Sequence, residues 1–233
     1  MDDYIMEQYV IIMWKPSIRK AGHMEFRKAD ETEMHEVSQL LAGAFKDYPL
    51  FEIIEKNNHK RYRLIRALQH LNTKVFLKKH TCLVAVEDNE ILAAALVKNL
   101  QNKNNDMPDY IKIGGLPLLF KGLLPKTLQF LKLANSSEVN IEDSKRFDWY
   151  VDSFAVSHKT QGKGVGSRLL KECVFPYIAK NDGGIVSLVT NTGINRKFYM
   201  KNGFEEFKEE NLKLKNESVK NWSYRMHIES TLN

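Results

Sequence analysis

Cysteine is scarce in this sequence. Cys82 and Cys173 are the only two among 233 residues, and neither belongs to a CxxC pair or stands beside a histidine pair. Structural metal sites need closely spaced ligands, and the seven histidines are also scattered singly. The sequence therefore predicts neither a disulfide nor a metal site.

Long hydrophobic runs are missing as well. The longest uninterrupted apolar stretches, residues 10–14 and 116–120, are far shorter than the roughly 20 residues that a membrane-spanning helix needs. Residues 1–13 contain three acidic residues where a secretory signal has positive charge. We expect no membrane span and a cytoplasmic location.

The sequence has no block of five or six like charges. Its 35 Lys and Arg outnumber 29 Asp and Glu, for a net charge of +6 and a pI of about 9.1. This excess suits an anionic ligand, and it suits a solvated basic surface equally well. A nucleic-acid-binding surface needs a concentrated basic stripe with interleaved aromatics. We find no such stripe in the sequence and expect no nucleic-acid partner.

Composition and length indicate one main folded domain. The 43% hydrophobic and 27% charged residues are ordinary globular values, and no internal repeat occurs. Met24 begins the first convincing structural element. We therefore assign residues 1–23 to an N-terminal appendage and residues 24–233 to the domain itself.

The first half of this domain is predicted to be mainly helical. Asp30 and Glu33 form a capping-box pattern, and apolar residues then recur at helical spacing to Phe45. A second helical stretch covers residues 50–78, with predicted breaks near Asn57 and near Asn72. Residues 108–133 are apolar but interrupted by Gly and Pro, which indicates broken helices. They form a substrate lid, a packing segment over one sheet face or, as a third alternative, a membrane-surface contact.

The remaining elements are mostly strands. Two short β-favouring runs at residues 82–87 and 91–97 predict an antiparallel hairpin. Later candidates are a strand at residues 148–156 followed by an amphipathic helix, a strand at 185–190, a helix at 195–202 stopped by Gly203, and final strands at 204–208 and 222–228. Strands and helices therefore share one α/β (α+β) domain.

A glycine-rich loop carries the strongest local signal. It leads from the strand at residues 148–156 into the amphipathic helix, with the sequence Gln161, Gly162, Lys163, Gly164, Val165, Gly166 and Ser167. Glycines let a ligand approach the backbone, and a helix N-terminus attracts anions. The loop lacks the GK[ST] ending of a P-loop and has Ser167 where a dinucleotide fingerprint has its third glycine. A phosphate-binding loop and a plain tight turn both remain open from the glycines alone.

A second motif lies downstream, in residues 190–204. The loop resembles the Q/R-x-x-G-x-G/A signature of the GNAT acetyltransferase superfamily through Gln161, Gly164 and Gly166, and residues 190–204 resemble that family's T-x(4)-N-x-x-F-Y-x-x-x-G-F segment. Residues 26–29 and 44–51 are similar to the opening strand and first helix of many members. The resemblance spans most of residues 24–229.

The resemblance implies a fold and a cofactor site. The fold is a mixed, mostly antiparallel central sheet of about six to seven strands with helices on both faces, splayed between the fourth and fifth strands. Acetyl-CoA is the implied cosubstrate, with its pyrophosphate on the glycine-rich loop and its pantetheine arm along Phe154, Ala155 and Val156, through the peptide groups of Phe154 and Val156. Asn195 is implied to contact this arm, and a helix-capping role is its alternative.

The resemblance also implies direct attack by an amine on the acetyl group. Tyr199 occupies the family's general-acid position, with simple aromatic packing as its alternative. An alkyl amine is mostly protonated at neutral pH, so a proton acceptor is needed. Asp152 is the first candidate and has a structural hydrogen-bonding role as its alternative. Tyr150 and His158 are weaker candidates.

The predicted function is therefore N-acetylation of a primary amine by acetyl-CoA, without a metal. An inactive CoA-binding regulatory module is the main alternative, and a nucleic-acid-binding protein is a third. The acceptor is not identified by the sequence, and a homodimer is compatible with it.

Overall fold

The structure is a computed structural model that describes residues 24–101, 110–115, 123–137 and 146–231. The predicted appendage at residues 1–23 and parts of the predicted broken-helix segment, residues 108–109 and 116–122, lie outside these residues.

A seven-stranded sheet forms the centre of the molecule, with strand order β1-β2-β3-β4-β5-β7-β6. Every neighbouring pair is antiparallel except β4 and β5, which run parallel. The strands are β1 (Glu25–Lys28), β2 (Thr81–Glu87), β3 (Glu90–Asn99), β4 (Trp149–Val156), β5 (Gly184–Thr190), β6 (Glu205–Leu214) and β7 (Glu217–Ile228). The predicted mixed, mostly antiparallel sheet is confirmed.

Helices cover both faces of the sheet, as predicted. One face carries α1 (Met34–Ala44), α2 (Pro49–Ile54), α3 (Asn58–Lys79) and α4 (Leu124–Ser137). The other carries α5 (Val165–Leu169), which continues through a π-helical turn (Leu170–Val174) into α6 (Phe175–Ala179), and α7 (Gly193–Lys201). A short helical turn at Ile111–Gly115 precedes α4. Because both faces are covered, β2 and β3 are nearly continuous apolar runs rather than alternating ones.

Local sequence signals explain several helix boundaries. The Thr32 N–H donates to the Asp30 carboxylate and the Asp30 N–H donates to Glu33, so the predicted capping box is present. It caps a short 3₁₀ turn (Glu31–Glu33) that leads into α1. The predicted break near Asn57 is confirmed, because Asn57 accepts from the Lys60 N–H and caps α3.

Two predicted boundaries are wrong. The helix does not break at Asn72, since α3 continues to Lys79; the Asn72 side chain donates to Asp152 of β4 instead of to the backbone of its own helix. The last two strands are longer than predicted. Residues 209–221 read as polar, but Lys220 pairs with Glu209 and Arg225 with Glu205 across the hairpin of β6 and β7.

The sheet opens between β4 and β5. These strands pair only at Trp149 with Val186 and at Tyr150 with Ser187. On its other edge, β4 pairs with β3 through Val156, with a bulge that leaves Asp152 without an opposing residue. A gap therefore lies beside β4 beyond Tyr150, and the predicted splay is confirmed.

None of the helices in the described parts of the chain is long and apolar enough to cross a membrane.

Candidate functional site

The glycine-rich loop joins the end of β4 to the beginning of α5. Gly162 has φ of 78° and Gly164, in the N-cap position of α5, has φ of 83°. Residues with a Cβ rarely adopt this left-handed conformation, so these two glycines are required by the path of the backbone.

The start of α5 presents backbone N–H groups. The first hydrogen bond of the helix runs from the Arg168 N–H to the Gly164 carbonyl. The preceding N–H groups of Val165, Gly166 and Ser167 have no intrahelical acceptor, and the positive end of the helix dipole lies in the same place. This arrangement suits a phosphate group.

Gly166 serves a different purpose from the other two glycines. A Cβ at this position would lie 3.0 Å from Val156 Cγ2 and 3.2 Å from the Phe198 ring. Glycine therefore lets α5 approach β4 and α7 closely, which places the helix N-terminus beside the gap in the sheet.

Gln161 and Lys163 are partly used by the loop itself. The Gln161 side-chain amide donates to the Val156 carbonyl at 3.1 Å, and its backbone N–H donates to the Ser157 carbonyl. The Lys163 N–H donates to the Thr160 carbonyl at 3.2 Å. Gln161 thereby fastens the loop to the end of β4. The cofactor contacts that the resemblance implies for these two residues stay predictions.

The backbone of β4 faces the gap at two of the three predicted positions. The Ser157 N–H donates to the Leu92 carbonyl of β3 at 2.7 Å. Because peptide groups alternate along a strand, those of Ala155 also point to β3, whereas those of Phe154 and Val156 point away from it. The predicted pantetheine-pairing groups of Phe154 and Val156 are therefore directed into the gap, and those of Ala155 are not.

Tyr199 lies in an aromatic cluster next to this gap. Its ring packs against Phe154 of β4 with centroids 6.5 Å apart, against Phe204 at 5.6 Å and against Tyr224 at 5.7 Å. The side chain is buried, and burial together with the nearby Tyr48 and Tyr224 hydroxyls raises the pKa of Tyr199 well above its ordinary value. The phenol is therefore neutral at physiological pH and has a proton to donate.

Asn195 does not cap α7. The cap is Thr192, whose hydroxyl oxygen accepts from the Asn195 N–H at 3.3 Å, so the capping alternative for Asn195 is wrong. The Asn195 side chain instead donates to Thr190 Oγ1 at 3.1 Å, at the end of β5. Its contact with a cofactor stays a prediction.

Tyr48 joins this region to the opposite half of the molecule, a contact that was not predicted from the sequence. The Asn191 N–H donates to the Tyr48 hydroxyl oxygen at 2.8 Å, and that oxygen lies 3.2 Å from Thr190 Oγ1. Because the Tyr48 hydroxyl oxygen accepts from the Asn191 N–H, its own proton is available to donate to Thr190 Oγ1. Burial raises the pKa of Tyr48, so this proton is retained. The entry to α2 is thereby attached to the end of β5.

Asp152, the predicted base, occupies the bulge of β4. Its Oδ2 accepts from Asn72 Nδ2 at 2.6 Å and from the Ser153 hydroxyl at 3.0 Å, while Asn72 Oδ1 accepts from the Tyr110 hydroxyl. Asn72 reaches it from α3, whereas Tyr199 packs with the helices of the opposite sheet face. Asp152 and Tyr199 therefore adjoin the same part of β4 from opposite sides. Asn72 and Tyr110 were not predicted from the sequence.

The weaker base candidates have different surroundings. His158 is exposed, with Nε2 3.4 Å from the Gly43 carbonyl. Tyr150 is buried, and Lys98 Nζ lies 5.4 Å from the centre of its ring. Neither contact favours one of them over Asp152 as a proton acceptor.

The two cysteines are buried and free. Burial raises the pKa of Cys82 to about 12 and that of Cys173 to about 11, so both thiols are protonated at neutral pH and neither is an activated nucleophile. In the parts of the chain that the structure describes, no group of acidic, Cys or His side chains is arranged to hold a metal ion.

Residues 133–206 match a family model described as an acetyltransferase (GNAT) domain. This range contains β4, the glycine-rich loop, β5 and α7, which are the elements that build the site. A search of curated proteins finds no match.

Solved structures share the fold across nearly the whole chain. A polyamine N-acetyltransferase of Drosophila melanogaster that forms N-acetylagmatine is 14% identical with a TM-score of 0.59, over 88% of this chain and 99% of that one. Arylalkylamine N-acetyltransferase 2 of Aedes aegypti is also 14% identical, with a TM-score of 0.59 over 88% of this chain and 99% of that one. A protein of Corynebacterium glutamicum described as histone acetyltransferase HPA2 and related acetyltransferase is 17% identical with a TM-score of 0.55, over 90% and 98%. At these identities the likeness concerns the fold.

Proposed function

We propose that this chain, whose residues 133–206 match a GNAT acetyltransferase domain, is an N-acetyltransferase that moves the acetyl group of acetyl-CoA to a primary amine. The observation that carries the proposal is the open edge of β4 beside the N–H groups of α5 that have no intrahelical acceptor, with Tyr199 against the same strand. We assign the activity to residues 24–233.

The residues present fit acetyl-CoA. The N–H groups at the start of α5 suit its pyrophosphate, and the left-handed Gly162 and Gly164 leave room for a close backbone approach. The N–H and carbonyl of Phe154 and the N–H of Val156 are directed into the gap and can pair with an amide-bearing arm as a neighbouring strand would, whereas the Val156 carbonyl already accepts from Gln161. When bound, acetyl-CoA supplies an activated thioester carbonyl.

The groups beside the gap include a candidate proton acceptor and a candidate proton donor, which supports direct attack by the amine. The attacking nitrogen must lose a proton, and Asp152 is the carboxylate on β4 that can accept it, directly or through water. The Val156 N–H points into the gap and can donate to the developing oxyanion. The departing sulfur needs a proton, and Tyr199 is a neutral phenol beside the gap.

The acceptor is proposed only as a primary amine. The Drosophila melanogaster and Aedes aegypti neighbours are named for polyamine, agmatine and arylalkylamine acetylation. These amine classes are therefore the first to screen, followed by aminoglycosides, amino acids, protein N-termini and lysines.

An inactive CoA-binding module is the second candidate. It is favoured by the surroundings of Tyr199, whose side chain is 5% exposed and packs against aromatic rings as a core residue would. Tight acetyl-CoA binding without turnover of any amine would support this candidate over the transferase.

The first test is calorimetric titration of acetyl-CoA and CoA into the intact chain and two variants. Gly164→Val forces a side chain into a left-handed conformation at the helix N-cap, so we expect it to abolish binding. Gly43→Val is the matched control, because Gly43 lies in α1 with open space around its Cβ position and should bind normally. Absence of binding by the unmodified chain would refute both candidates.

A further inference from the structure

Two side chains from different elements meet at Thr190, the last residue of β5. Asn195 Nδ2 donates to Thr190 Oγ1 at 3.1 Å, and the Tyr48 hydroxyl oxygen lies 3.2 Å from the same atom. Thr190 is only 1% exposed, so its hydroxyl is shielded from water. A buried hydrogen-bond network of this kind holds its members in one arrangement. Thr190 therefore joins the start of α7 and the entry to α2 to the end of β5.

Thr190 lies on the β5 side of the gap in the sheet. The pairing of β5 with β4 ends at Ser187, and Thr190 is three residues further along the strand. Residues two apart on a strand point to the same side, so Thr190 shares a face with Val186 and Leu188. Both of these belong to the core cluster that contains Tyr199. The Thr190 side chain is therefore on the sheet face that carries Tyr199.

The Asn195 bond holds the side of α7 on which Tyr199 is placed. Asn195 and Tyr199 are four residues apart in this nine-residue helix, so their side chains lie on the same face, one turn from each other. The next residue, Arg196, ties a different side of α7 to β6, because it donates to both carboxylate oxygens of Glu206 at 2.8 and 2.9 Å. The helix is therefore attached to the sheet at two places, and the attachment nearest Tyr199 is the one at Thr190.

We propose that Asn195 and Thr190 are positioning residues for acetyl transfer, which hold Tyr199 where it can protonate the departing thiolate. The inference rests on the proposed function. A proton donor must come within hydrogen-bonding reach of the atom that it protonates, and a misplacement of about 1 Å can cost about a hundredfold in rate. The apolar contacts of the Tyr199 ring are non-directional, whereas the hydrogen bond of Asn195 is directional and sets the distance of α7 from β5.

This role differs from the cofactor contact that the family resemblance implies for Asn195. Its side-chain amide already donates to Thr190 Oγ1. Calorimetric titration separates the two roles, because a positioning role leaves the dissociation constant of acetyl-CoA within about twofold of the unmodified value in both Thr190→Val and Asn195→Leu. Weaker acetyl-CoA binding in Asn195→Leu would assign this residue to the cofactor site and overturn the proposal.

Steady-state acetylation of a responsive amine measures the positioning effect. Thr190→Val keeps the shape of the side chain but removes the acceptor, and Asn195→Leu removes the donor at nearly the same volume. We expect each to lower kcat by about tenfold, because the bond that they share is lost. Thr190→Ser keeps the hydroxyl and should have a kcat within about twofold of the unmodified chain. Unchanged kcat in Thr190→Val would overturn the proposal.

Two double variants show whether the effect passes through one bond and through Tyr199. Thr190→Val with Asn195→Leu should have a kcat within about twofold of either single variant, since the bond is lost only once. Thr190→Val should also have no further effect on the residual kcat of Tyr199→Phe, because the hydroxyl that it positions is absent. A tenfold loss that recurs in the Tyr199→Phe background would indicate a general structural effect and overturn the proposal.

Thr81→Val is the control for loss of a buried threonine hydroxyl. Thr81 Oγ1 lies 2.8 Å from the Tyr177 hydroxyl at the start of β2, outside the elements that build the site. This variant should also be less stable to urea, but its kcat should stay within about twofold of the unmodified value. An equal loss of kcat in Thr81→Val and Thr190→Val would contradict a specific role for Thr190.

Hydrogen–deuterium exchange of α7 gives a measurement that does not need turnover. Its amides should exchange about tenfold faster in Thr190→Val and Asn195→Leu, while those of α5 keep their rates. Unchanged exchange in α7 would overturn the proposal. If the unmodified chain acetylated no amine, the proposed function would fail, and this measurement would still decide whether Asn195 and Thr190 hold α7 in place.

Discussion

The two faces of the sheet are built by different rules. On the face of α5 and α7, glycines with special backbone geometry and one aromatic cluster arrange the site, as Gly164, Gly166 and Tyr199 illustrate. On the face of α1 to α4, the corresponding work is done by side-chain contacts between distant residues, such as Asn72 with Asp152. The first face can be recognised from short motifs, whereas the second emerges only when the chain has folded.

The largest effect should come from Tyr199→Phe, on the sheet face covered by α5 and α7. If Tyr199 protonates the leaving thiolate, kcat for a responsive amine should fall by about a hundredfold or more, with little change in the KM for acetyl-CoA. Because its pKa is raised, Tyr199 stays protonated at pH values where an ordinary tyrosine ionises. Ionisation of Tyr199 should therefore not lower the activity of the unmodified enzyme until well above pH 10. Steady-state kinetics across pH measure both effects.

Phe204→Leu, which alters the same aromatic cluster without removing a hydroxyl, is the control for Tyr199→Phe. If both variants lose activity equally, Tyr199 acts by packing.

The role of Asp152 can be separated from its structural contacts. Asp152→Asn should lower kcat by about tenfold to a hundredfold, with little change in the KM for acetyl-CoA, if the carboxylate accepts the amine proton. Asn72→Ala removes the 2.6 Å donor but keeps the carboxylate, so its kcat should fall much less. Equal loss of kcat in the two variants, measured by steady-state kinetics, would assign Asp152 a structural role only.

Arg61→Met tests how the other face is held together. The Arg61 side chain is buried, and it donates to the carbonyls of Lys46 and Glu55 at 3.2 and 3.3 Å. Removing both donors should lower the free energy of unfolding by about 2 kcal/mol, measured by urea denaturation. Acetyl-CoA affinity should change little, because the α5 side is untouched. Loss of that affinity in a folded variant would show that the two faces are coupled.

Tyr48→Phe should give the smallest effect. The Asn191 N–H loses its acceptor and Thr190 loses a donor, for an expected cost of about 1 kcal/mol in stability. Tyr48 stands at the start of α2, on the sheet face opposite the proposed cofactor loop and α5. We therefore expect a higher KM for the amine and an unchanged dissociation constant for acetyl-CoA. Weaker acetyl-CoA binding with an unchanged KM for the amine would instead assign Tyr48 to the cofactor site. Tyr62→Phe, which alters a partly buried tyrosine of α3, serves as a control for loss of a hydroxyl.

Errors in the sequence-based predictions fall mainly outside the motif region. Asn72 was expected to break α3, and the hairpin of β6 and β7 was predicted too short. Both errors have the same cause, because polar residues that seem unfavourable in a helix or strand are stabilised by partners far along the chain. The wrong capping role of Asn195 is a local error of three residues, since Thr192 is the cap.

The sequence by itself determined the positions of most strands and helices and the glycine-rich turn into α5, and its resemblance to the GNAT superfamily implied the mixed sheet. The element positions and the turn follow from hydrophobic periodicity, capping and backbone freedom, which act over a few residues. Only the tertiary structure decided that Asn72 and Tyr110 meet beside Asp152 and that Tyr48 reaches the end of β5. Each of these depends on contacts between residues remote in sequence, whose partners no local pattern specifies.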